Sequence, residues 1–527
     1  LWFGLLGQRD LFDPDEGRYA GIPAAMVDTG DWLTPRLNDI KYFEKPVLQY
    51  WATAVAFEVF GKSNASARLW TALTGFSTAL FAMFVAFRLY GQRASIFTFL
   101  ISVSYLMVVM FGHYLTLDMA LSAFVVMGIG CLVLAQSGQP DAKVTRNWML
   151  LGWAALALAT LTKGPVAVVL PAGAILVYSL WQRDWALWPR LHLFKGTLLY
   201  LVITAPWFIA VSIENPEFPQ FFFIHEHFDR YTSEVHRRDG PIYYFIPYLL
   251  VGVCPWLITS MRSIIKPGFK WLPDTPGRFD AQRFMWTFVV VTFCFFSLGQ
   301  SKLPGYILPI LPVIAILAGG QLSTRDQVNA DRWVMLVLGL FFVIGAFFME
   351  HLASGHFPVE QWLSYSPWII ASGALLLLAF TVLSVRDGAR LPSFAAAAGL
   401  SLASTLMIVT GANSIAESKS SKVIADVISE SLPAGAPVFS FQYYPEAAVF
   451  YLERPVMLVN YEGEMAMGIR LEPEKLIKSQ DEFLVLWQNL EQAAVVLKLN
   501  RLQNLNVDAL HGEVVYVGPK TMVIIKS

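Results

Sequence analysis

Between Asp13 and Pro46 the sequence crowds together residue types that move protons and hold anions. DPDEGRYA (13–20) supplies Asp13, Asp15, Glu16, Arg18 and Tyr19, and YFEKP (42–46) supplies Tyr42, Glu44 and Lys45. Asp15, Arg18 and Tyr19 stand at i, i+3 and i+4, so a helix presents them on one side. A carboxylate so placed can act as a general base or orient an acceptor, which makes Asp15 a candidate catalytic residue. Asp13 and Glu16 are read as helix caps and dipole partners. Lys45 is a compact point charge suited to a phosphate, held in place by Tyr42, Phe43 and Pro46. The plainer reading of Lys45 is snorkelling at the headgroup level.

Chemistry-bearing residues recur later in the chain. Asp118 lies just inside the start of an apolar run, where a carboxylate is costly and usually functional. Lys163 precedes Gly164-Pro165 and is a candidate anion contact. The run from Phe221 to Asp239 is aromatic, then dense in charge, then basic, a pattern suited to a loop that folds over a ligand. Within it Arg230 is the candidate for bidentate contact with a phosphate, and Arg237 and Arg238 for a second anion. His225 and His227, with Glu44, could hold a structural divalent ion such as zinc, although a lone HxH pair is a weak signal. No residue set demands a metal or other cofactor for the chemistry.

These residues must be positioned by a membrane scaffold. Of the 527 residues 56% are hydrophobic and only 15% charged, and the mean hydropathy is +0.52; soluble chains carry about 25% charged residues. Apolar runs follow at 67–87, 94–111, 117–135, 148–161, 165–181, 196–213, 243–265, 284–298, 305–322, 333–349, 367–385 and 393–412. Leu1 to Gly7 is read as the end of a further helix, giving about thirteen spans of a roughly 30 Å core. Cys131, Cys254 and Cys294 all fall in apolar runs and suggest no disulfide framework. The net charge of −1 gives no footprint for nucleic acid.

Arginine and lysine orient the bundle. Loops around Arg88, Lys143, Arg183, Arg262, Arg325 and Arg386 each carry at least two basic residues, which makes that side cytoplasmic. The Asp13 loop, residues 214–242 and everything beyond about 413 then lie outside. Arg9, Arg36, Lys41, Lys62, Lys163 and Lys302 are basic residues on the disfavoured side, and an anionic ligand there would account for them. Gly17–Asp28 and Val47–Phe60 look helical but too short to span, so they are expected to lie at the interface. Beyond residue 412 the pattern changes: strand-like runs at 437–441, 456–459 and 493–499, a helix over 473–490 and a hairpin around Pro519-Lys520. The expectation is a membrane domain over 1–412, with interfacial helices in a first loop at 8–65, and a soluble α/β domain over 413–527, a usual domain size.

The stretch from Asp13 to Trp51, with DE before RYA, GDWLTPR and YFEKP, resembles the first outer loop of bacterial lipid A 4-amino-4-deoxy-L-arabinose transferases. These form part of the protein-mannosyltransferase-like branch of the C-type membrane glycosyltransferases. LTKGP (161–165) and SKLPGYILP (301–309) are also similar to family motifs, whereas Val47 stands where many relatives have a second proline. The resemblance implies a polytopic helical enzyme with a C-terminal periplasmic α/β domain in the bacterial inner membrane. It implies an undecaprenyl-phosphate-linked aminoarabinose donor and a lipid A phosphate acceptor, hence polymyxin resistance. By position it makes Asp15 the essential aspartate and Lys45 and Arg230 the donor-phosphate ligands, with Arg18, Tyr19, Tyr42, Asp118 and Lys163 near the cavity. A monomer in contact with membrane lipids is expected. The alternatives are a related enzyme using another sugar or a protein Ser/Thr acceptor, and a lipid transporter. The transporter is disfavoured because ionisable residues cluster at one mouth rather than through the helix centres.

Overall fold

The computed structural model describes residues 1–138, 141–229, 240–269, 278–324, 330–385 and 391–526, with side chains left out at 227–229. Acidic residues open the first helix, α1 (Asp15–Thr29), and Gly30 closes it in the left-handed conformation at φ 73°, donating its N–H to the Met26 carbonyl. A two-stranded hairpin follows, β1 (Arg36–Leu37) and β2 (Ile40–Lys41). Its two loop residues, Asn38 and Asp39, both take positive φ (55° and 62°), which suits a tight hairpin loop. The hairpin delivers the chain to Tyr42–Pro46 and then to α2 (Leu48–Phe60). α2 exposes Val55, Val59 and Phe60 while burying Tyr50, Ala54 and Phe57, the one-sided pattern of a helix lying at an apolar surface.

The bundle starts with α3 (Asn64–Tyr90), capped by a reciprocal Ser63/Ser66 box. Helices then run over Gln92–Ser104, Leu106–Gly112, Asp118–Gln136, Ala142–Lys163, Val166–Gln182, Leu193–Glu214, Phe245–Gly252, Leu257–Ile265, Ala281–Leu298, Ile310–Thr324, Asp331–Ala346, Val359–Val385 and Leu391–Gly411. Among the described residues six helices are long and apolar enough to cross a membrane, and a seventh if Gln92–Ser104 and Leu106–Gly112, bent by 62°, form one span. The outward side chains Leu198, Val202, Ile209, Val337 and Phe341 are exposed and apolar, as lipid contact requires. The chain is therefore a polytopic membrane protein. The expected thirteen spans are not all continuous helices. The 243–265 run breaks into two helices at 253–256, around Pro255, and residues 2–7 form turns rather than a helix end.

Beyond Ala416–Lys419 and Lys422–Ser431 comes a six-stranded sheet in the order β5-β4-β3-β6-β8-β7. Its strands are β3 (Val438–Phe441), β4 (Met457–Val459), β5 (Leu476–Ile477), β6 (Ala493–Lys498), β7 (Glu513–Val517) and β8 (Thr521–Lys526). β3, β4, β5 and β6 are parallel neighbours, and the β7–β8 hairpin joins β6 antiparallel, with Lys498 opposite Thr521. The expected helix over 473–490 is shorter, Gln480–Gln488, because Leu476–Ile477 is taken up as an edge strand. One face of the sheet packs with Ile424, Ala447 and Phe450 in the same hydrophobic cluster as Tyr19, Ile22, Tyr42 and Tyr50 of the first loop. The sheet and the first loop thus share a core rather than touching at a rim.

Candidate active site

Asp15 and Glu16 are neighbours with opposite surroundings. Glu16 is fully buried and accepts six hydrogen bonds: Arg9 Nη1 and Nη2 (2.6 and 3.0 Å), Arg68 Nε and Nη2 (2.8 and 3.0 Å), Phe12 N–H and Leu115 N–H (both 3.0 Å). Burial would raise its pKa, but Arg68 and then Arg9 outweigh burial and bring it down to about 2. This carboxylate ties α1 to the start of α3 and to the segment leading into the helix Asp118–Gln136. Glu16 is therefore a structural anchor, not a simple helix cap. Asp15, one residue back, keeps its carboxylate 45% exposed, 3.8 Å from Arg18 Nη1. It is the open acid of the first turn of α1.

Arg18 is buried and faces three carboxylates. Glu446 takes Nε and Nη2 at 3.0 and 2.9 Å, Glu464 pairs with Nη1, and Asp15 lies beyond them. Its guanidinium also sits 6.0 Å from the Tyr42 ring. Two of these three acids come from the sheet region, so Arg18 joins the first loop to it. Gly17 makes this possible: a Cβ there would lie 2.3 Å from the Ala447 nitrogen. Asp13 reinforces the joint by accepting from Ala447 N–H at 2.6 Å and from Ser421 Oγ, while its own N–H donates to Lys419 O at 2.7 Å. Burial pushes the Asp13 pKa up to about 6. The Asp13 cap expected for α1 is thus a cap for the helix Glu446–Leu452 instead.

Lys45 reaches Glu226 at 3.3 Å and Glu44 at 3.6 Å, and donates to the Glu44 carbonyl at 2.8 Å. Glu226 belongs to the π-helical segment Gln220–Asp229, so the first loop and this later connection meet at Lys45. Lys163 pairs with Asp118 and lies 4.9 Å from the Tyr306 ring centre. A Cβ on Gly305 would fall 2.8 Å from the Asp118 carboxyl, so LTKGP and SKLPGY converge on one carboxylate. Tyr19 is buried against Tyr50 in a stacked pair at 6.2 Å. The hydroxyls of Tyr42, Tyr50 and Tyr444 are buried without a hydrogen-bond partner among the described residues. Such hydroxyls suit a polar ligand, since buried polar groups otherwise carry a desolvation cost.

The structure answers several expectations differently. Arg9, Arg36, Lys41, Lys62 and Lys163 find carboxylates within the chain: Glu16, Glu472, Glu217, Asp28 and Asp118. No outside ligand is needed to explain them. Arg230, Arg237 and Arg238 lie outside the described residues. Of the proposed metal set, Glu44 sits beside Lys45 and His225 packs near Phe221 (5.3 Å), while the His227 side chain is outside the described residues. No group of three potential metal ligands forms among the described residues, so the zinc expectation gains no support. Sequence reasoning gave no role to Arg68, Gly17, Glu226, Glu446 or Glu464. A glycine two residues into a helix, unexplained by any turn, was the one available signal.

The dolichyl-phosphate-mannose-protein mannosyltransferase family matches residues 1–222, and the aminoarabinose transferase C-terminal domain matches residues 424–526. An undecaprenyl phosphate-α-4-amino-4-deoxy-L-arabinose arabinosyl transferase of Shewanella sediminis is 30% identical over 398 residues, 72% of this chain and 69% of the relative. The enzyme of the same name from Serratia proteamaculans is 29% identical, over 96% of this chain and 92% of its own. The crystal structure of ArnT from Cupriavidus metallidurans bound to undecaprenyl phosphate superposes with a TM-score of 0.92 at 34% identity, covering 99% of this chain and 95% of that one. An apo archaeal oligosaccharyltransferase from Archaeoglobus fulgidus shares the fold alone, with a TM-score of 0.51 at 12% identity. The class is thus a membrane glycosyltransferase of the C-type fold. Within it, the chain belongs to the undecaprenyl phosphate-aminoarabinose arabinosyl transferase family.

Proposed function

We propose that this protein transfers 4-amino-4-deoxy-L-arabinose from undecaprenyl phosphate to a phosphate of lipid A, at the outward face of the bacterial inner membrane. The reaction is a single displacement at the anomeric carbon. The bond from that carbon to the donor phosphate oxygen breaks as the acceptor phosphate oxygen bonds to it. The leaving group is a lipid phosphate, so the chief demand is to stabilise its negative charge. Lys45, at the meeting of the first loop with Gln220–Asp229, is the described cation best placed for this, and Arg230 is assigned with it. Arg18 holds α1 in place and lies 6.0 Å from the centre of the Tyr42 ring. The acceptor is already an anion, so Asp15 orients it or the sugar amine instead of removing a proton. Asp118 and Lys163 form a second charged pair where LTKGP and SKLPGY converge, and Lys163 is assigned to the acceptor.

The observation that carries this reading is the half-exposed Asp15 beside a fixed Arg18, on a loop whose relatives act on this donor. Expression of the protein in a host lacking the activity should add one aminopentose to the mass of lipid A. The increment should vanish with Asp15→Asn at equal protein level. An increment on a membrane protein instead of lipid A would replace the acceptor reading. Normal transfer by Asp15→Asn would remove Asp15 from it.

A further inference from the structure

The C-terminal sheet has a topological switch point of its own. From β3 the chain crosses to β4 through Glu446–Leu452 on the face shared with the first loop, and it reaches β6 through Gln480–Gln488 on the opposite face. The direction of winding therefore reverses between β3 and β6. In parallel α/β sheets the crevice at the carboxyl ends of the strands at such a reversal is where ligands bind. Here that edge points at α1, because the residues just beyond β3 meet Asp13.

Four cations edge this crevice. Lys498 ends β6 and lies 4.5 Å from the ring centre of Tyr443, just beyond β3. Lys520, in the β7–β8 turn, lies 4.6 Å from the Phe357 ring, and Lys419 lies 5.4 Å from the same ring. Arg501 follows on the segment after β6 and is exposed. Lys498 and Lys520 are half-buried, and both have their pKa lowered, by burial and then by these neighbouring cations. The acid they face is buried Asp13, already engaged by Ser421 and Ala447. Among the described residues none of the four cations forms an ion pair, whereas Arg9, Arg18, Lys45, Arg68 and Lys163 all do. Four neighbouring cations, three of them on aromatic faces and none in a salt bridge, with only Asp13 facing the two lysines and Lys520 donating to the Ser418 carbonyl at 2.7 Å, are the marks of an anion site.

We propose that this switch-point crevice, formed by Lys498, Lys520, Lys419 and Arg501 over Tyr443 and Phe357, binds a phosphomonoester on the headgroup of the acceptor glycolipid. It deepens the lipid A reading and rests on it. The crevice is one backbone hydrogen bond from the site: the Asp13 N–H, two residues before Asp15, donates to the Lys419 carbonyl at 2.7 Å. A headgroup phosphate gripped here would hold the second, reacting phosphate over α1.

The test uses the full-length protein in nanodiscs, with the variant Lys498→Gln/Lys520→Gln and the charge-keeping Lys498→Arg/Lys520→Arg. At saturating donor the Gln variant should raise the KM for lipid A about tenfold, the order of losing one charge-assisted contact, while the donor KM holds. The Arg variant should stay near wild type. Direct binding of lipid A, followed by native mass spectrometry, should weaken in the Gln variant, and dephosphorylated lipid A should bind both proteins equally weakly. An unchanged acceptor KM and unchanged lipid A binding would overturn the site. So would equal competition by phosphatidylglycerol, which would mark a general membrane contact. A wild type that binds phosphorylated lipid A through these lysines yet transfers nothing to it would uphold the anion site and overturn the acceptor assignment instead.

Discussion

Replacing Glu16 by Gln should damage the fold while sparing the chemistry's participants. The substitution keeps the shape but leaves two buried guanidiniums, Arg9 and Arg68, facing a neutral amide at distances of 2.6–3.0 Å. The pKa of Glu16, moved from 4.5 to about 2, corresponds to about 3 kcal/mol of stabilisation at neutral pH. Breaking a buried pair by removing one partner costs about 3–5 kcal/mol, so two routes agree on the order. The sign is fixed: a depressed carboxylate pKa contributes fully above pH 4.5, and the contribution fades as the pH falls toward 2. Thermal unfolding in detergent should therefore show Glu16→Gln several degrees below wild type at pH 7. Asp15→Asn, one residue away and open to solvent, should unfold with wild type. Equal midpoints for Glu16→Gln and wild type would refute the anchor assignment.

Three further outcomes follow from the same geometry. Lys45→Ala should raise the donor KM, because its ammonium lies where the first loop meets the Gln220–Asp229 segment; a titration with polyprenyl phosphate reads this, and unaltered donor affinity would contradict it. Gly17→Ala should loosen the sheet from α1, since the new Cβ would meet Ala447 and Glu446 backbone at 2.3 and 2.6 Å. Helix propensity alone would favour Ala by ~1 kcal/mol, so faster hydrogen exchange over 446–464 would isolate the close approach, and slower exchange would deny it. Asp13→Asn should stabilise the joint at pH 8, because a raised carboxylate pKa favours the folded state only while the acid is protonated. That benefit should shrink as the pH falls through about 6 and vanish below 3.8; a pH-independent effect on the thermal midpoint would contradict the assignment.

Much of the scaffold was legible because apolar runs and turn residues are local signals. The Tyr42–Pro46 turn, the hairpin at Pro519-Lys520 and the start of the helix at Asp118 fall where the sequence puts them. The breaks at 253–256 and the bend after Ser104 were not, since hydropathy averages across a kink. The charged loop was legible as a site, but not the division of labour within it. Asp15 and Glu16 look alike in a sequence, and partners that include Arg68, 52 residues away, and Leu115, 99 residues away, separate their roles. The basic residues of the first loop seemed to require a foreign anion because the carboxylates that neutralise them, such as Glu472 for Arg36, are distant in the chain. Glu446 and Glu464 were invisible for the same reason: no local pattern shows that a C-terminal sheet completes an N-terminal loop.

The central claim is that cations of the first loop and of the connection after Gln220 together hold the donor's phosphate beside Asp15. The most direct measurement is a structure of this protein with undecaprenyl phosphate bound. The phosphate should lie within hydrogen-bond distance of Lys45 Nζ, with Glu226 displaced from the lysine and Arg230 on the same phosphate. A phosphate seated elsewhere, with Lys45 still on Glu226, would contradict it.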